Sequence, residues 1–132
     1  MPKVKFTFLI TLLFSVTSVS ASSAKWERIF ENATATLYLD FRRIEKKDHF
    51  VYFWSLVDYV KPTEQGHLSS AVYSKGDCKL FRVQRLSYTH YKAPMGRDGG
   101  QISKLKKREW RNPAPVSLLE VKLKSVCGHI FP

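Results

Sequence analysis

The strongest chemical signal in this 132-residue chain lies between positions 97 and 111. The run KLKKREWR (104–111) sets Lys104, Lys106, Lys107, Arg108 and Arg111 around Trp110, and Arg97 precedes it. Clustered ammonium and guanidinium groups attract phosphate, sulfate and carboxylate, and an interleaved ring adds an apolar face. That chemistry is recognition, not bond-making. The plainer reading is a solvated basic surface that keeps the protein soluble, with Trp110 anchoring its loop on the core. Arg42, Arg43, Lys46 and Lys47 form a second cluster, and Lys122 and Lys124 a third.

Bond-making would need a nucleophile, a base and a group to orient the base. The four histidines are His49, His67, His90 and His129. His49 and His67 fall in polar turns, and His129 is placed to cap helix carbonyls. His90 lies in a strand between Thr89 and Tyr91, where a surface position is the simpler reading. Gly96, Gly99 and Gly100 are followed by more loop, so no glycine-rich turn opens a helix to cradle phosphate. Acidic residues are scattered, so neither a carboxylate pair nor a calcium loop stands out. The expectation is a non-enzymatic chain without a cofactor or a metal.

Cys78 and Cys127 are the two cysteines. Neither has a second Cys two to four residues away, which argues against a zinc site. Their meaning depends on the compartment, and the N-terminus addresses that. Lys3 and Lys5 precede an apolar run over residues 6–14, and residues 15–24 are small and polar. This is the layout of a secretory signal peptide, with cleavage near residue 21 or 24. The apolar run is too short to span a bilayer, and no Cys near the cleavage site offers a lipid anchor. Residues 1–21 are therefore the expected leader and 22–132 a single exported domain. In an exported chain an even cysteine count predicts one disulfide, Cys78–Cys127. With Lys3 and Lys5 gone, 22 basic and 11 acidic residues become 20 and 11, a net charge of +9.

The elements that must position these groups are mostly strands. Residues 33–41 alternate, with Ala33, Ala35, Leu37, Leu39 and Phe41 on one face. Residues 50–60 (FVYFWSLVDYV) are apolar in both phases and read as a central strand covered on both sides. Pro62 and Gly66 punctuate a turn. Residues 69–74 read as a short strand broken by Lys75-Gly76-Asp77. Residues 79–91 read as a strand long enough to need a bend or bulge, or to split into two strands. Residues 92–114 read as one long irregular loop. Then helical periodicity returns: Leu119, Leu123, Val126 and Cys127 share a face. Ser117 and Glu120 have capping-box spacing, Val116 and Val121 staple spacing, and Gly128 reads as a left-handed stop. The fold class is α+β, an antiparallel sheet with a C-terminal α-helix on one face, tied there by the disulfide.

Several stretches carry a family resemblance. They are YLDFRRI (38–44), FWSLVDY (53–59), Ser70 to Cys78 ending in Asp77-Cys78, and Arg82 with its strand. Met95-Gly96, Trp110, Pro115 with Ser117, and Val126-Cys127-Gly128 complete the series in order. Together they resemble the surface-adhesin protein E-like family of Gram-negative bacteria. Two departures stand out. The family's Met-Gly-x-Gly turn becomes Met95-Gly96-Arg97-Asp98-Gly99, and the lipid-attachment Cys of some members is absent. The resemblance implies the same sheet, helix and disulfide. It also implies binding to host extracellular-matrix or serum proteins.

The first reading is thus an exported binding domain acting through its basic loop. Its expected ligands are host matrix or serum proteins, anionic glycans or lipopolysaccharide. Nucleic acid, the usual partner of such a patch, does not fit export. The mature chain needs no transmembrane segment, and a homodimer is compatible with it. The competing reading is a periplasmic accessory protein with a self-associating sheet edge and no adhesive role.

Overall fold

A computed structural model describes residues 2–3 and 24–132. The leader expected over residues 1–21 thus lies almost wholly outside the described residues. Eight antiparallel strands build one sheet: β1 (Glu27–Glu31), β2 (Ala35–Leu39), β3 (Glu45–Lys47), β4 (Phe50–Tyr59), β5 (Ser69–Asp77), β6 (Arg82–Tyr91), β7 (Gln101–Lys104) and β8 (Trp110–Arg111). One helix, α1 (Leu118–Ile130), closes the chain. Across the sheet the order is β1-β2-β4-β5-β6-β7. β3 continues the edge that β2 starts on β4, and β8 continues the edge that β7 starts on β6. The long β4–β5–β6 meander is therefore flanked on both sides by pairs of short strands.

Side chains alternate between the two faces along a strand. Leu39, Val51, Phe53 and Val83 point to one face, where Leu123 and Val126 of α1 complete a fully buried core. The opposite face is covered at one end only. There Leu56 and Ala71 are buried beneath the 3₁₀ turn Pro94–Gly96. The Asp58 carboxylate accepts from the Met95 N–H (2.9 Å) and the Ser69 hydroxyl from the Gly96 N–H (2.9 Å), which pins that turn down. Among the described residues no element covers the rest of this face, from Trp54 to Phe50, and its rings are only half-buried. β4 is therefore not covered on both sides, as its composition predicts. Its aromatic phase is stabilised by neighbouring side chains on an open face.

The disulfide forms between Cys78 and Cys127, whose Cα atoms stand 5.7 Å apart. It ties α1 to the end of β5. Lys75-Gly76-Asp77 does not break β5. A Cβ on Gly76 would lie 2.8 Å from Leu123 Cδ1 and 2.9 Å from Val51 Cγ2, so the glycine makes room for the helix. The following strand does not split: it runs from Arg82 to Tyr91 and carries a bulge, a register shift opposite Tyr73 and Ser74.

The helix start keeps half of its capping box. Ser117 Oγ accepts from the Glu120 N–H (3.2 Å), but Glu120 turns to Lys124 (2.9 Å) instead of back to Ser117. Val116 is 93 % exposed, so the staple to Val121 does not form. Gly128 does not stop the helix, which runs on to Ile130. Residues 92–114 are not one loop, because β7 and β8 return to pair with β6. No helix among the described residues is long and apolar enough to cross a membrane.

Candidate binding surfaces

The basic segment runs along the outer edge of β6. Arg97, Lys104, Lys106, Lys107, Arg108 and Arg111 are all exposed, and none is ion-paired among the described residues. They do not form one patch. Arg97 precedes β7 and Lys104 ends it, which sets them at opposite ends of a strand roughly 10 Å long. Residues 105–109 arch off the sheet between β7 and β8. The Gln84 side-chain amide holds the foot of that arch by donating to the Arg108 carbonyl (2.7 Å). In β8, Arg111 pairs with Val83 and faces the helix side, whereas Trp110 pairs with Gln84 and faces the open side. Lys107 and Arg111 line a cleft of about 180 Å³ with Arg85, Tyr88, Leu105 and Glu109.

Beside this cleft Lys122 is 5 % exposed. It belongs to no surface cluster with Lys124, because helical spacing turns it toward the sheet while Lys124 faces solvent. Burial, with the Arg85 charge beside it, lowers its pKa to about 8.

Trp110 is indeed an anchor, though not on the helix-side core. It stacks on Phe50 (6.1 Å between ring centroids), and the Arg82 guanidinium lies 4.3 Å from its ring centre. From there a ladder of rings and cations crosses the open face. Lys75 lies over Phe50 (4.2 Å) and reaches Tyr52 (5.7 Å), which Lys47 also approaches (5.5 Å). Tyr52 packs by Tyr73 (6.4 Å), and Tyr73 stacks on Trp54 (4.9 Å). The Arg43 guanidinium then sits between Trp54 (5.3 Å) and Trp26 (5.5 Å). This surface is missing from the sequence reading, although Phe50, Tyr52 and Trp54 share one strand phase. Rings in place of aliphatic residues at every second position were the available signal.

Two buried carboxylates hold the ladder's arginines. Asp40 accepts from Arg43 Nε (2.6 Å), and Asp77 from Arg82 Nε (3.1 Å). Burial pushes both carboxyls up, but hydrogen bonds outweigh it. The Lys25 N–H, the Arg43 side chain and the Arg42 N–H hold Asp40 below the usual carboxylate range. The Leu80 N–H, Arg82, the Lys79 N–H and the charge of His49 do the same for Asp77.

His90 is half-buried. Its Nδ1 lies 2.9 Å from the hydroxyl of buried Ser70, and its ring stacks on His67 (4.8 Å) and Tyr88 (5.6 Å). Burial and the neighbouring His67 lower its pKa, which favours the neutral ring. His129 packs against Phe41 (4.9 Å). A cavity of about 480 Å³ lies beside the disulfide between His49, Phe81 and Phe131.

A family model described as surface-adhesin protein E matches residues 26–128. No curated protein matches the sequence. Among solved structures, crystal form II of Haemophilus influenzae protein E is similar with a TM-score of 0.57 at 18 % identity, over 82 % of this chain and 91 % of that one. Another structure of H. influenzae protein E gives 0.57 at 18 % identity, over 82 % and 87 %. Protein E from non-typeable H. influenzae gives 0.55 at 18 % identity, over 83 % and 79 %. At that identity the likeness establishes a shared fold.

Proposed function

The chain belongs to the surface-adhesin protein E family, and from that premise we propose that it is an exported, non-enzymatic binding domain. It recognises anionic groups through the basic 97–111 segment, on host matrix or serum proteins, anionic glycans or lipopolysaccharide. Processing near residue 21 or 24 delivers it to the periplasm or the cell surface without a lipid anchor. One observation carries the reading: Arg97, Lys104, Lys106, Lys107, Arg108 and Arg111 are exposed and have no carboxylate partner among the described residues. Unneutralised exposed charge is available to an anionic partner and steers its approach.

Heparin binding by the processed protein tests this. Affinity should fall steeply with salt, since exposed charges are screened within about 8 Å at physiological ionic strength. Charge reversal at Lys106, Lys107 and Arg108 should weaken binding far more than reversal at Lys61, Lys79 and Lys92. The control lysines are also exposed and lie elsewhere on the surface. Equal losses would mean that net charge acts diffusely and that the segment is no site.

A periplasmic accessory protein is the second reading. It is favoured by the outer edge of β7, whose residues are all exposed, Ile102 by 68 %. Such an edge can pair with a second copy. Cell fractionation with surface proteolysis separates the two readings, because an adhesin must reach the outside.

A further inference from the structure

The open sheet face holds a groove that the basic segment does not account for. Trp26, Arg43 and Trp54 form one wall, and Tyr91, Gly100 and Ile102 the other. Buried Ala71 and Thr89 also line it, and its volume is about 380 Å³. Small residues keep it open. A Cβ on Gly100 would fall 2.3 Å from Thr89 Cγ2 and 2.5 Å from Tyr91 Cε1, so a side chain there would displace the wall.

The Arg43 guanidinium is the polar group set among these rings. Its Nε is bound to buried Asp40 at 2.6 Å, which fixes its orientation. Among the described residues the two terminal nitrogens meet no acceptor, and the guanidinium carbon lies over both indoles. A guanidinium held this way presents a fork matched to carboxylate or sulfate. The indole and phenol faces beside it carry negative quadrupole charge, which attracts the polarised C–H groups of a sugar ring. From Trp54 the groove opens onto the ladder of Tyr73, Tyr52, Lys75, Phe50 and Trp110. Phe50, Tyr52 and Trp54 alternate along β4, which sets them roughly 7 Å apart along the strand. Of the carboxylates near this face, Asp40 and Asp77 are buried and occupied, and Asp58 is tied to the covering turn. Glu45, opposite Tyr52, is exposed, and its charge reaches Tyr73 of the ladder.

We infer that this groove binds an acidic pyranose, the sugar's anion on the outer edge of Arg43 and its ring on Trp54 or Trp26. Longer sulfated or uronic-acid glycans extend along the ladder. The inference shares with the proposed function the premise that this is a binding domain. It assigns the specific contact to the open face and leaves to 97–111 only the long-range attraction.

The test is calorimetry with a heparin-derived tetrasaccharide and with full-length heparin, at low and high salt. The variants are Trp54→Ala, Trp26→Ala, Arg43→Lys and the triple charge reversal at 106–108. Each is checked for folding by its melting transition. Trp54→Ala or Trp26→Ala, and Arg43→Lys, should weaken tetrasaccharide binding roughly tenfold or more. Arg43→Lys keeps the charge and removes the fork. The triple reversal should leave tetrasaccharide affinity within about twofold, or about 0.4 kcal/mol, and weaken full-length heparin. Parent-like tetrasaccharide binding in all three groove variants would overturn the inference. So would an oligodeoxynucleotide of matched charge that binds as tightly and loses as much in the same variants. If instead the groove variants lose binding while the triple reversal changes neither ligand, the groove stands and the basic-segment reading fails.

Discussion

Gly76 lies directly beneath Leu123, so close that the first carbon of any side chain would stand 2.8 Å from the leucine's Cδ1. A glycine inside a strand is entropically unfavourable, and Gly76 is the last but one residue of β5. Here it sets how deeply α1 can sit on the sheet. Gly76→Ala should destabilise the protein by about 1–3 kcal/mol through overpacking. Leu123→Ala should cost about 2–5 kcal/mol through loss of buried area and a cavity. The two should not add. In the Leu123→Ala background the added methyl meets less, so Gly76→Ala should cost clearly less than it does in the parent. Urea denaturation of the four proteins gives the coupling, and strict additivity would mean that the pair is not in contact.

The disulfide should contribute strongly. It closes a 49-residue separation and fixes the C-terminal end of α1 to the end of β5. Replacing Cys78 and Cys127 with Ser should cost on the order of 2–5 kcal/mol. The check is the urea midpoint of the parent with and without reductant, set beside the double variant. A reduced parent as stable as the oxidised one would contradict it.

Much of this architecture was legible because period and composition agreed. Alternation over residues 33–41 marks β2, and the spacing of Leu119, Leu123 and Val126 marks the docked face of α1. What could not be read depended on partners distant in sequence. The polar, glycine-containing end of β5 resembles a turn until Leu123 is placed above Gly76. β3, β7 and β8 are short and exist mainly through pairing with the longer β4 and β6, so their own residues say little. The site shows the same division. The basic composition of 97–111 is visible in one dimension, but the separation of Trp110 from Arg111 onto opposite faces is not. The Arg43 groove draws on Trp26, Trp54, Tyr91 and Gly100, which the sheet alone brings together.

Asp77 should govern part of the acid limb of stability. Its folded pKa lies below the ordinary 3.8. Stability from its ionised form is therefore fully present above that value and is lost as the pH falls through the lowered folded pKa. Asp77→Asn should cost roughly 1.5–3 kcal/mol at neutral pH, the range for hydrogen bonds to a charged group. The gap between parent and variant should close below pH 3.8. Asp40 is lowered in the same way, so only the difference between the two proteins isolates Asp77. A gap that stays constant into strong acid would exclude a carboxylate held low by its partners.

Lys122 should act in the opposite direction at alkaline pH. Desolvation, with a smaller contribution from Arg85, brings its pKa from 10.5 to about 8 in the fold. Burying the ammonium therefore opposes folding. Between about pH 8 and 10.5 the unfolded chain binds the extra proton, so this residue makes stability rise with pH across that window. Lys122→Met keeps the length of the side chain and removes the charge. At pH 7 the variant should be the more stable protein, by an amount on the order of 3 kcal/mol at most. Its advantage should shrink steadily as the parent's lysine loses its proton. Paired thermal melts from pH 7 to 10.5 provide the measurement. A variant no more stable than the parent at pH 7, or an advantage that does not narrow with pH, would mean that the Lys122 ammonium already reaches solvent from beneath the Arg85 cleft.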